Sequence, residues 1–271
     1  MLGRYRLPIV LLAALLAGCA ARVSPPSTEL GAPSSATPWM AAVGKLEIAG
    51  AEPCTAILVA PTVILTASHC LHQDDVPAAP SNLRFRPNFG ALPALPSASG
   101  VSLRAQGGAI QEGHLSRPEQ VAADWALVDI TPAVKNVAPI PIVALRTDQV
   151  LSRIAAGDRL FTAGYGYGRM EMLKQHGKCE IVPPKGTNPI YDDGILITTC
   201  IIRVGDSGGP VILLDKAGKP RLIGIFAGFG LNAQVGLSYA VNADRVAPYL
   251  GPALVSLLAP LPQSLPPPFL Q

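Results

Sequence analysis

Ser207 sits in the run Gly205-Asp206-Ser207-Gly208-Gly209-Pro210, and two other residues occupy comparably distinctive settings. His69 closes the stretch LTASHC at the end of an apolar run, and Asp124 opens ADWALVDI at the start of another. An alcohol is a weak nucleophile at neutral pH and needs a neighbouring base to take its proton as it attacks a carbonyl. The imidazole of His69 can be that base. A carboxylate such as Asp124 on the far ring nitrogen fixes the tautomer and stabilises the imidazolium formed during attack. Glycines around Ser207 permit a tight turn in which the backbone N–H groups of Gly205 and Ser207 converge on a developing oxyanion. Alone, G-D-S-G is ordinary turn sequence. Together with His69 and Asp124 it points to acyl transfer through a serine ester.

Other polar residues have simpler readings. Asp129, further along the same run, is a second candidate carboxylate, but at a strand end it is more simply solvated. His69, His72, Asp74 and Asp75 resemble a metal cluster, yet the H-E-x-x-H pattern that sets two imidazoles on one helical face is missing, and neither metal nor cofactor is expected. His114 and His176 stand in polar, glycine-flanked stretches and read as exposed side chains. GYGYG, residues 164–168, lacks the spacing and following helix of a nucleotide loop. Trp39 and Trp125 read as packing residues.

The elements that must position these residues read as strands. Short runs rich in Val, Ile and Leu, among them AAVGKLEI, TAILVAPTVILTA, RLFTAGYG, ILITTCIIRV, PVILLD and RLIGIFAGF, alternate with Gly, Pro and Asn. The best helical stretch is NADRVAPYLGPALVSLL, where Asn242 can cap a helix before Pro248 disturbs it. The proline-rich segment 76–100 reads as a long surface loop.

The chain has 271 residues, 49% hydrophobic and 14% charged, so it has a core to bury. A formal net charge of +3 without a long run of like charges offers no footprint for nucleic acid. Arg4 and Arg6 precede an apolar stretch from Leu7 to Ala17, which reads as a signal-peptide core too short to span a membrane. Leu16-Ala17-Gly18-Cys19 resembles the bacterial lipobox, which makes Cys19 the expected lipidation site, residues 1–18 a signal peptide, and the outer membrane or periplasm the expected location. Residues 19–37 read as a disordered tether rich in Ser, Pro, Ala and Thr, and 251–271 as a proline-rich tail. Four further cysteines, in an oxidising compartment, imply two disulfides with three possible pairings.

The three segments around His69, Asp124 and Ser207, in that order, resemble the chymotrypsin-like serine proteases over residues 38–250. The resemblance implies an all-β fold of two six-stranded antiparallel barrels, about 38–137 and 138–250, with a short C-terminal helix. It implies hydrolysis of protein or peptide substrates through an acyl-enzyme, with His69, Asp124 and Ser207 as triad and Gly205 and Ser207 as oxyanion donors. It also implies a Cys54 to Cys70 disulfide, leaving Cys179 for Cys200, although relatives often carry a cysteine where this chain has Arg203.

In the family the acid before the nucleophile often pairs with an amino terminus freed by cleavage. No I-V-G-G-like start follows a basic residue here, so Asp206 is expected to be satisfied internally, by an arginine such as Arg203 or Arg153, without an activating cut. An ungapped count puts Ile201 at the floor of the primary pocket and Gly228, Phe229, Gly230 and Gly236 near its walls, which favours a small or apolar P1 residue. Two rival functions stay open. One is a catalytically silent, membrane-anchored binding module of the same fold. The other is an esterase, although the G-x-S-x-G elbow and Ser-Asp-His order are missing. Oligomeric state is not legible.

Overall fold

β-Branched and other apolar side chains suit a pleated surface that is covered on one or both faces, and strands accordingly carry most of this molecule. The structure is a computed structural model and describes residues 29–30, 38–73, 76–91, 93–108, 118–166, 174–176, 179–183, 194–229 and 236–251. In chain order the strands are β1 (Glu29–Leu30), β2 (Val43–Ile48), β3 (Cys54–Ala60), β4 (Val63–Thr66), β5 (His72–Gln73), β6 (Val76–Pro77), β7 (Leu83–Pro87), β8 (Ala98–Gln106), β9 (Ala126–Thr131), β10 (Arg159–Gly164), β11 (Lys174–His176), β12 (Ile195–Thr198), β13 (Pro210–Leu214), β14 (Pro220–Phe229) and β15 (Ser238–Asn242). Among the described residues two α-helices intervene, α1 (Pro118–Ala122) and α2 (Thr147–Ala155).

The first half closes into a barrel in the order β2-β3-β4-β9-β8-β7. Every residue of β3 and β4 is buried, and their apolar side chains belong to the main core. Part of the segment expected to be loop is in fact β7, where Leu83 and Phe85 point inward and Arg84 is exposed. Its L-R-F-R alternation is a half-buried strand pattern.

The second half is a sheet in the order β1-β11-β10-β13-β14-β15-β12. An isolated antiparallel bridge from Ile181 to Thr198 joins the segment after β11 to β12, so the chain returns to the sheet's far edge. The seventh strand is β1, which pairs Glu29 and Leu30 with β11 inside the expected tether. Alternate residues of β13 serve two cores. Ile212 and Leu214 join the main core that extends from the barrel, whereas Val211 and Leu213 pack with Phe226, Leu196 and Val150 in a second cluster. Burial of each such side chain contributes about 1.5–3 kcal/mol.

Where the helical stretch was expected to begin, the described residues form two 3-10 turns, Ala243–Arg245 and Ala247–Tyr249, and the remainder of that stretch beyond Gly251 lies outside the described residues. Asn242 caps the first turn, accepting from the Asp244 N–H, and Pro248, which has no N–H to donate, sits in the second. Among the described residues no helix is long and apolar enough to cross a membrane.

Candidate active site

β4 and β9 run antiparallel with Thr66 opposite Ala126, so the end of one strand lies beside the start of the other. The chain just beyond Thr66 and just before Ala126 overhangs the same edge of the barrel. That register is why His69 and Asp124 meet across a separation of 55 residues. His69 begins a 3-10 turn, Asp124 links α1 to β9, and both are buried. The backbone N–H of His69 donates to Asp124 Oδ1 at 2.8 Å, and its ring Nδ1 lies 2.7 Å from Oδ2. One residue thus occupies both carboxylate oxygens, which offsets the desolvation of a fully buried acid. A carboxylate accepts, so Nδ1 carries the proton and Nε2 presents its lone pair.

Ser207 lies in the turn that leads into β13 and is half-buried, while Asp206 beside it is 2% exposed. The turn is held on every side. The Asp206 N–H donates to the Arg203 carbonyl at 2.9 Å and the Gly209 N–H to the Asp206 carbonyl at 2.8 Å. Gly208 and Gly209 exchange bonds with Phe226 of β14. Gly205 has φ +96°, a conformation other residues rarely adopt, and a side chain there would strike the Tyr165 carbonyl. From the barrel, the Thr55 N–H donates to the Ser207 carbonyl at 2.9 Å.

A disulfide joins Cys54 to Cys70, and a second joins Cys179 to Cys200. The first closes a loop around the histidine, a restraint of about 3 kcal/mol in the chain-entropy account. Cys70 Sγ lies 3.8 Å from His69 Nε2 and 3.9 Å from the Ser207 carbonyl oxygen. These are packing contacts, since a disulfide sulfur carries no proton. The imidazole and the serine residue therefore both touch one sulfur atom.

Asp129 is excluded from this cluster by its own partners. It accepts from Arg104 and Ser102 on the barrel surface. His72 Nδ1 lies 2.9 Å from the Ser68 carbonyl. Among the described residues, Cys54, His69 and Cys70 approach one another as metal ligands would, but both sulfurs are spent in the disulfide. Asp74, Asp75, His114, Gly230 and Cys19 lie outside the described residues, as do the side chains of His176 and Phe229. Trp39 and Trp125 are buried, the latter against Tyr249.

Of the two arginines expected to satisfy Asp206, Arg153 donates to Asp158 at 2.8 Å instead, and Arg203 meets Asp206 with its backbone N–H, which donates to Oδ2 at 2.9 Å. Gly164 and Gly166 give that carboxylate room, for a side chain at either would strike it. Ile201 is 64% exposed, which is no place for the floor of an enclosed pocket. An ungapped count carried it there, but the chain between β12 and Ser207 takes its own path, with Cys200 and Ile202 turned inward instead. Gly228 is half-buried beside a bulge in β14, and Gly236 is exposed.

Thr55 went unnoticed in the sequence. Its hydroxyl accepts from the Tyr165 N–H at 3.0 Å and donates to the Gly205 carbonyl at 2.7 Å, joining the barrel to the serine turn. The available signal was a polar residue within the wholly buried strand CTAILVA.

Compared with known protein families, residues 30–249 match the family described as Trypsin. Curated proteins give no significant match. Among solved structures, a Glu endopeptidase in complex with MPD is 17% identical, with a TM-score of 0.59 over 83% of this chain and 96% of that one. The thermostable serine protease AL20 from an extremophilic microorganism is 16% identical, with a TM-score of 0.53 over 78% and 95%. Protease Anisep from Arthrobacter nicotinovorans is 21% identical, with a TM-score of 0.53 over 76% and 91%. At these identities the structural likenesses establish the fold.

Proposed function

Because the chain belongs to the trypsin family and is a serine-type endopeptidase, we propose that His69, Asp124 and Ser207 are its catalytic triad. The observation that carries this reading is the grip of His69 on both oxygens of buried Asp124, with Nε2 turned to the sulfur that also touches Ser207. Ser207 Oγ attacks the scissile carbonyl and its proton passes to His69 Nε2. Asp124 stabilises the imidazolium, and the N–H groups of Gly205 and Ser207 stabilise the oxyanion, at roughly 3 kcal/mol for each donor. Collapse of the tetrahedral intermediate breaks the C–N bond, and His69 returns the proton to the departing amine. Water, deprotonated by the same imidazole, then hydrolyses the ester.

Gly228, half-buried beside the bulge in β14, supports a small or apolar P1 residue. Asp206 already holds the Arg203 N–H, which supports activity without an activating cut. The Leu16 to Cys19 run supports export and lipid anchoring at Cys19 in the outer membrane or periplasm.

The test is digestion of a peptide library, with new termini identified by mass spectrometry. The wild type should cut after small or apolar residues and His69→Ala should not cut. Cleavage chiefly after Arg or Lys overturns the P1 reading, and undiminished cleavage by His69→Ala overturns the triad.

A further inference from the structure

We propose that Thr55 is a positioning residue for the oxyanion turn, a strut through which the closed barrel fixes the backbone from Gly205 to Ser207. The inference rests on the reading of Ser207 as nucleophile and adds a residue from the other half of the molecule. Thr55 is fully buried in β3, next to the cysteine that staples the histidine loop. It holds the turn at two points, through its hydroxyl on the Gly205 carbonyl and its N–H on the Ser207 carbonyl. The peptide that carries the Ser207 N–H hangs between those two fixed planes.

Thr55 is itself fixed. Thr66, at the end of β4 that leads to His69, donates its hydroxyl to the Thr55 carbonyl at 2.9 Å. The Thr55 hydroxyl uses its single proton toward Gly205 and a lone pair toward Tyr165 N–H. β-Branching restricts χ1, so little freedom remains to be lost when those bonds form. The strands that position the base and the turn that positions the nucleophile are thus tied by one side chain. Oxyanion stabilisation depends on donors that are already in place when charge develops, so a small rotation of this turn should slow the transition state and leave substrate binding intact.

The test compares Thr55→Val, which keeps the shape and removes the hydroxyl, with Thr55→Ser, which keeps the hydroxyl. Amide hydrogen exchange at Tyr165 and fluorophosphonate labelling are read beside peptide hydrolysis. For Thr55→Val, kcat should fall about 10- to 100-fold, the scale of a small misplacement, while KM stays within about twofold. Thr55→Ser should recover most of kcat, and the Tyr165 amide should be protected in the wild type and exposed in Thr55→Val. The proposal is overturned if folded Thr55→Val retains wild-type kcat, or if Thr55→Ser is as slow as Thr55→Val. Should Thr55→Val fail to fold, a Tyr165 amide that exchanges freely in the wild type overturns it equally. A wild type that protects this amide yet takes no label supports the strut and removes the triad reading. A labelled wild type with an unprotected amide does the reverse.

Discussion

Asp124→Asn separates charge from shape at the residue scale. The amide keeps the volume of the buried acid and one accepting oxygen, but its NH₂ cannot accept the Nδ1 proton, so the imidazole is driven to the wrong tautomer. In chymotrypsin-like enzymes the corresponding change costs about 10⁴ in turnover, and a loss of that order is expected here with little change in KM. Hydrolysis by the wild type should also fall about tenfold per pH unit on the acid side as the base takes up a proton. A rate unchanged down to strongly acidic pH would exclude His69 as base. These residues were legible because each carries a local signature of several neighbours. Thr55 was not, since its partners Tyr165 and Gly205 lie 110 and 150 residues away and a lone threonine advertises neither. Ile201 misled because counting back from Ser207 assumes a backbone path, and local sequence does not specify that path.

At the scale of elements, the serine turn and the barrel approach so closely that only glycine fits between them. A Cβ on Gly208 would lie 2.3 Å from the Thr55 carbonyl and 2.8 Å from the Ala67 nitrogen, both backbone atoms, at φ +77°. Gly208→Ala should therefore cost several kcal/mol, on the order of the largest single-site effects, and abolish hydrolysis. Gly218 has nearly the same φ but open space around it, so Gly218→Ala should cost only about 1–2 kcal/mol, the left-handed penalty alone. Equal melting temperatures for the two variants would refute the close approach. Most strands were readable from apolar runs, but α2 was missed although Val150, Leu151 and Ile154 fall at helical spacing behind Gln149, whose side chain accepts from the Arg146 N–H. In β7 the two arginines and flanking prolines hid an alternating pattern.

At the scale of the whole molecule, one side chain reports how the halves are joined. Tyr165 is fully buried just beyond β10, its hydroxyl donating to the Phe89 carbonyl of the barrel at 3.3 Å. Burial pushes its phenol well above the ordinary value, against smaller opposing effects of the Phe89 carbonyl and Arg86. A raised folded-state value means that the native state holds the proton after the unfolded chain has lost it. Its contribution is complete below about pH 10 and declines above that by about 1.4 kcal/mol per pH unit. Unfolding at alkaline pH should show this slope, and Tyr165→Phe should flatten it; an identical slope in the variant would place the titrating group elsewhere. The pairing of two β-rich halves was legible through family resemblance, whereas the β1 strand and the return of the chain to β12 depend on long-range pairing that local patterns do not encode. The most direct measurement is mass-spectrometric mapping of the adduct formed with a fluorophosphonate. The account predicts a single phosphonylated serine, at position 207, lost in Ser207→Ala and strongly slowed in His69→Ala. An adduct that persists in Ser207→Ala, or a folded wild type that takes no label, would contradict it.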